Sequence, residues 1–97
     1  MEHRAVTKLS DAQIAERLRG LPGWRRESGT LSRLFVFADF VAAMRFVNAV
    51  ADAAEAANHH PDIRVQYNKV TLQLVTHDAG GITASDFALA ATVSDLC

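Results

Sequence analysis

Apolar residues recur along this chain in two periods, one helical and one strand-like, and the switches between them mark the elements. Ser10 opens a first helix. Gln13 follows at the spacing of a capping box, and Leu9 and Ile14 at that of a hydrophobic staple. Ile14, Leu18 and Leu21 form one narrow apolar stripe, Gly20 stops the helix, and Pro22-Gly23 turns the chain. Trp24 to Glu27 reads as a short strand, Ser28-Gly29 as a hairpin turn, and Thr30 to Phe37 as a longer strand. Leu31, Phe35 and Phe37 share the parity of a core face. Leu34 and Val36 point the other way, as a subunit contact or as simple exposure.

Asp39 is a good N-cap for the longest helix, Phe40 to about Ala57. Its expected buried stripe is Phe40, Ala43, Met44, Val47, Val50 and Ala54. Ala49, Ala51, Ala53, Ala56 and Ala57 raise helix propensity, and they leave a flat face that a helix of another subunit can approach closely. Pro61 keeps His60 out of the α region, so the helix stops at the His59-His60 pair. Ile63, Val65 and Tyr67 then alternate with Arg64 and Gln66 in a half-buried strand, and Asn68-Lys69 makes a tight connection. Val70, Leu72 and Leu74 alternate with Thr71 and Gln73 in a strand that reaches His77. Gly80-Gly81 turns the chain. Thr83 caps a last helix, with Asp86 at its third position and Phe87, Ala90 and Ala91 as its apolar side. The order α-β-β-α-β-β-α predicts an α+β domain, a four-stranded antiparallel sheet with three helices packed on one face. Strand order is not in the pattern. Residues 1 to 8 are expected to be loose.

The 97 residues make one domain, long enough for a modest core without staples. A hydrophobic fraction of 49% and a mean hydropathy of +0.05 describe a globule, not a disordered tail. Net charge is −1, which gives no electrostatic drive toward nucleic acid or a membrane surface. The single cysteine, Cys97, has no internal partner, as in a reducing compartment. No signal-peptide core and no apolar run near the roughly 20 residues of a membrane span is present, so a cytoplasmic location is expected.

Candidate chemistry concentrates between Glu55 and Asp86, which hold three of the four histidines: His59, His60 and His77. His3 lies in the expected tail. Imidazoles at element ends, beside Pro and Gly, are placed to exchange protons near neutral pH. Three readings compete. The histidines are ordinary surface residues, or they bind zinc with carboxylates, or they act as a metal-free acid and base. Against metal, adjacent His59 and His60 diverge on most backbones, and no i, i+4 histidine pair or CxxC is present. For acid–base work, one imidazole protonates a leaving group while another removes a proton, which typically contributes ~10²–10⁴-fold in rate. No nucleophile is offered, since Ser85 lies in a helix first turn and Cys97 at the terminus.

With Glu55, His59-His60-Pro61, Tyr67, His77 and Asp86 at these spacings, the stretch resembles the signature of the pterin-4a-carbinolamine dehydratases. Tyr67-Asn68-Lys69-Val70, Thr76-His77 and Gly80-Gly81-Ile82-Thr83 also match. Gly23-Trp24 and the Phe35-x-Phe37-x-x-Phe40 run resemble the family's first half, so the likeness covers nearly all the chain after residue 10. It implies the same fold, and a lyase that dehydrates 4a-hydroxytetrahydropterin to quinonoid dihydropterin in tetrahydrobiopterin recycling. It further implies no cofactor beyond the pterin substrate, no metal, a homodimer or homotetramer, and a functional link to an aromatic amino acid hydroxylase. His59, His60 and His77 match the family's active-site histidines. In the expected division His59 and His77 share the acid and base roles and His60 orients the 4a-hydroxyl or the ring. Glu55, one helical turn before His59, matches the acidic position and either orients an imidazole or is a solvated charge. Trp24 and Tyr67 are pterin walls or packing residues. Asp86 is a substrate-site residue or the cap partner of Thr83. Asn58 replaces an aspartate common in animal members, and Ile63-Arg64-Val65-Gln66 lacks an aromatic often found there, which bears on the pocket wall. The alternative function is an interaction module, because animal members also act as dimerisation partners of a transcription factor through a helical surface. The alanine-rich face of Phe40 to Ala57 would serve that role.

Overall fold

In the computed structural model, residues 7–97 are described, and local side-chain bonds start each helix as the sequence requires. Ser10 Oγ accepts from the Gln13 N–H at 3.1 Å and Gln13 Oε1 accepts from the Ser10 N–H at 2.8 Å, which opens α1 (Asp11–Leu18). Asp39 accepts from the Ala42 N–H at 2.8 Å to open α2 (Phe40–Ala57). Thr83 caps α3 (Ala84–Ser94). The strands are β1 (Arg25–Glu27), β2 (Thr30–Val36), β3 (Asp62–Gln66) and β4 (Lys69–Leu74). Ser28 and Gly29, at φ +51° and +79°, form the two-residue β1–β2 turn, whose strand twist favours positive φ at both positions.

The sheet is wholly antiparallel, in the order β1-β2-β4-β3, so the last strand inserts beside β2 in the centre. Leu31 and Phe35 of β2 and Val70, Leu72 and Leu74 of β4 face inward. They pack with Ile14 of α1, Ala43, Phe46 and Val50 of α2, and Phe87, Leu89, Ala90 and Val93 of α3. Burying each such aliphatic side chain contributes about 1.5–3 kcal/mol. All three helices cover this face. Leu34 and Val36 are exposed on the other. No helix among the described residues is long and apolar enough to cross a membrane.

Several expectations require correction. The buried aromatic of α2 is Phe46, which lies one turn from both Ala43 and Val50 and stacks tilted on Phe35 at 4.6 Å; Phe40 is 48% exposed and Met44 only half-buried. On α3, Leu89 and Val93 are buried and Ala91 is exposed. Helix α2 ends at Ala57, where the sequence put it, but the stop is made by Asn58 and not by Pro61. Asn58 takes the left-handed conformation (φ +51°), its N–H bonds the Glu55 carbonyl and the His59 N–H bonds the Ala54 carbonyl, a Schellman closure. Strand β4 ends at Leu74, and His77 begins a short 3₁₀ turn (His77–Ala79) instead of closing the strand. Residues 1–6, His3 among them, lie outside the described residues. Of the tail expected to be loose, residues 7 and 8 are described; the exposed Lys8 side chain lies against Gly81, next to a Leu9 N–H to Ile82 carbonyl bond of 2.8 Å.

Tyr67 is not a strand residue. Gln66 pairs with Lys69, so the β3–β4 turn is Tyr67-Asn68, and Tyr67 sits 67% exposed at φ +54°. A bulky L-residue in that region is strained by roughly 1–2 kcal/mol. Asparagine tolerates it better. The Tyr67→Asn variant is therefore expected to gain about 1 kcal/mol, read as a Tm rise of a few degrees in thermal unfolding.

Candidate functional site

The β3–β4 hairpin explains how distant histidines meet. Asp62 pairs with Gln73, so the residues just before β3 lie beside those just after β4. Asn58, His59 and His60 from the end of α2 thereby face Val75, Thr76, His77 and Asp78, and these residues line one cavity of about 290 Å³. That is near the lower end of the usual range for small-molecule sites, about 300–1,000 Å³. A roomier hollow of about 570 Å³ lies on the outer face of the sheet, between Arg25, Ser32, Leu34, Asp62, Arg64 and Gln73. It holds no imidazole, so the smaller cavity is the candidate site for proton chemistry.

Each of the two adjacent histidines has its own carboxylate. His59 Nε2 lies 2.5 Å from Asp86 Oδ1, with the His59 side chain 18% exposed and that of Asp86 wholly buried. His60 Nε2 lies 2.6 Å from Glu55 Oε2, and both of these side chains are largely exposed. An ionised carboxylate only accepts, so in both rings Nε2 is the donor and Nδ1 is left to exchange protons. A carboxylate behind an imidazole also stabilises the imidazolium when a proton arrives at the other nitrogen. The His77 ring makes no side-chain hydrogen bond among the described residues and is exposed. The set can accept a proton at one point of a bound molecule and deliver one at another.

The placement decides between the alternatives left open by the sequence. Glu55 meets an imidazole, that of His60, because the left-handed Asn58 turns the chain off the helix before His59, and helical spacing no longer applies. Asp86 holds His59 and accepts the Thr83 N–H at 2.8 Å, so it is both the cap and an anchor; it does not line the cavity. Trp24 is 6% exposed, donates from Nε1 to Ser94 Oγ at 2.8 Å and meets Phe35 edge-on, so it is a core residue. Tyr67 lies at the opposite end of β3, across about 16 Å of strand. Within one chain neither aromatic walls the histidine cavity. Among the described residues no group of three or more His, Cys, Asp or Glu side chains is arranged to hold a metal ion. Sequence reasoning gave no role to Val75 and Asp78, tied Asn58 to the pocket wall only through the family resemblance, and quoted Thr76 only as a matching position. For Val75 and Asp78 the only signal is adjacency to the histidines.

The family model for pterin 4 alpha carbinolamine dehydratase matches residues 7–96. A relative from Acidobacterium capsulatum, assigned to that activity by name, is 53% identical over 91 residues, which cover 94% of this chain and 99% of the relative. One from Thermomicrobium roseum is 52% identical over 91 residues, covering 94% and 98%. Among solved structures, a Brucella melitensis protein described as a transcriptional coactivator/pterin dehydratase superposes with a TM-score of 0.89 at 33% identity, covering 93% of this chain and 98% of that one. A pterin dehydratase-like protein described as a RuBisCO assembly factor in the alpha-carboxysome gives 0.66 at 26% identity, covering 76% and 88%.

The two carboxylates differ in what they sustain. Asp86→Ala leaves the Thr83 N–H, the Thr76 hydroxyl and the His59 ring short of a charged acceptor, and an expected loss of about 3–4 kcal/mol is readable by urea unfolding. Glu55→Ala breaks an exposed pair and is expected to change stability by no more than about 0.5 kcal/mol in the same measurement.

Proposed function

The chain belongs to the pterin 4 alpha carbinolamine dehydratase family, and from that premise we propose that it dehydrates 4a-hydroxytetrahydropterin to quinonoid dihydropterin through its histidines. The observation that carries the reading is the convergence of His59, His60 and His77 on one cavity, with one ring backed by a buried carboxylate. The reaction breaks the C4a–O bond, and the hydroxyl leaves with an added proton as water. The N5 hydrogen departs as a proton while the C4a=N5 bond forms. One proton enters and one leaves, so the net products are water and the quinonoid ring. No change of oxidation state occurs, and proton transfer alone suffices.

In this scheme His59 is the base, taking the N5 proton on Nδ1 while Asp86 stabilises the imidazolium. His77, with no carboxylate contact among the described residues, delivers the proton to the 4a-hydroxyl, and His60 orients that hydroxyl or the ring. The reaction needs neither metal nor cofactor, and a pterin recycled after aromatic hydroxylation is the substrate this chemistry fits. A second reading, an interaction module, draws on the coactivator and assembly-factor descriptions of the two structural relatives. The exposed Phe40 and Val41 at the start of α2 offer it a contact surface.

The direct test is the dehydration rate of a 4a-hydroxytetrahydropterin against the uncatalysed rate. The His59→Ala and His77→Ala variants are each expected to lose about 10²–10⁴-fold in kcat, and His60→Ala less, with a larger share in KM. No acceleration by the wild-type chain, or near-normal turnover in all three variants, would exclude the scheme.

A further inference from the structure

His77 poses a positioning problem that its own side chain does not solve. Its ring has no hydrogen-bond partner among the described residues, so its place in the cavity is set through the backbone that carries it. That backbone is pinned immediately upstream, at Thr76. The Thr76 N–H bonds the Gly81 carbonyl at 3.0 Å, and its own carbonyl accepts from Ala79 at 3.1 Å and from Gly81 at 3.3 Å. Its hydroxyl lies 2.8 Å from Asp86 Oδ2 and 2.7 Å from Thr83 Oγ1.

The proton directions in this group follow from the acceptor count. Asp86 only accepts, so the Thr76 hydroxyl donates to it. Thr76 has one proton, so the 2.7 Å contact is made by the Thr83 hydroxyl donating to Thr76 Oγ1. Thr83 Oγ1 in turn accepts from the Ser85 N–H at 3.2 Å. The other oxygen of the same carboxylate holds His59. One hydroxyl therefore joins the segment that carries His77 to the anchor that carries His59.

We propose that Thr76 is a positioning residue that sets the imidazole of His77 against that of His59 through the Asp86 carboxylate. Its consequence for turnover rests on the dehydratase reading; its consequence for the two rings does not. Loss of the hydroxyl lets the 76–81 turn and the Asp86 carboxylate shift independently. Displacements of about 1 Å between reacting groups cost up to about 10²-fold in rate.

The test compares Thr76→Val, which keeps the shape and removes the donor, with Thr76→Ser, which keeps the donor. Thr76→Ala stands in if the valine variant does not fold. Turnover is measured with a 4a-hydroxytetrahydropterin, and the ring signals of His59 and His77 are followed by ¹⁵N-edited NMR of the same full chains. For Val, kcat is expected to fall about 10- to 100-fold with KM changed far less, and both ring signals to move. For Ser, kcat and both signals are expected to stay near wild type. A Val variant with a lowered Tm but unmoved kcat and ring signals would reduce Thr76 to a stability role and overturn the proposal. A Ser variant as impaired as Val would overturn it too, by assigning the effect to the methyl group. If the wild-type chain does not dehydrate the pterin, the functional reading fails separately, and the ring signals still decide on Thr76.

Discussion

A carboxylate with no solvent-accessible surface persists in an apolar interior only when its oxygens are fully claimed, and the organisation around Asp86 follows from that demand. Its Oδ2 accepts the Thr83 N–H and the Thr76 hydroxyl, and its Oδ1 faces the His59 ring. These donors come from three places: the N-terminal cap of α3, the segment after β4, and the residue just past the end of α2. Desolvating an ionised carboxyl costs several kcal/mol, and charge-assisted bonds must offset it. Pulling those segments together is how this chain supplies them. The ordered rim of the histidine cavity is thus a by-product of satisfying one buried charge.

The sheet topology makes that gathering inexpensive in chain entropy. A two-residue turn joins β3 to β4, so the residues flanking the hairpin return to the same edge with no long loop between them. Because β4 sits in the sheet centre between β2 and β3, its end emerges over the core, where α3 begins. The same register that unites His59 and His60 with His77 sends Tyr67 to the far end. A motif continuous in sequence is therefore divided in space.

Much of this was legible in the sequence, and the boundary of legibility is physical. Capping boxes at Ser10–Gln13 and Thr83–Asp86, the Ser28-Gly29 turn and the alternation in Val70-Leu72-Leu74 are local codes, and the elements form where those codes lie. The three-on-one-face layering follows from the same amphipathic patterns. Local codes fail where a residue leaves regular geometry. Asn58 in the left-handed region rotates the frame, so helical spacing alone does not tell which imidazole Glu55 meets. Phe40 and Phe46 are both spaced for a core stripe of some phase. Only packing against Phe35 and Phe37 selects Phe46. The partner of His59 lies 27 residues away, and no spacing rule reaches that far.

The three imidazoles end up under graded restraint, and the gradation bears on what each can contribute. His59 is mostly buried and tied to a carboxylate that cannot move without breaking a helix cap. Its tautomer and orientation are fixed before any ligand arrives, which suits a group that must receive a proton at one defined atom. His60 is tied to an exposed glutamate, so solvent competes for that bond and its ring is less firmly set than that of His59. Among the described residues His77 has no side-chain tether, so its ring proton has no acceptor there and its ring is held through the backbone beside Thr76. In the proposed scheme, a base whose Nε2 faces a buried carboxylate and an acid with no carboxylate contact among the described residues divide the two proton transfers without either group having to serve both. That division requires their separation to be set in advance. On the proposal made for Thr76, that setting falls to the hydrogen bonds between Thr76, Thr83 and Asp86, not to the histidines themselves.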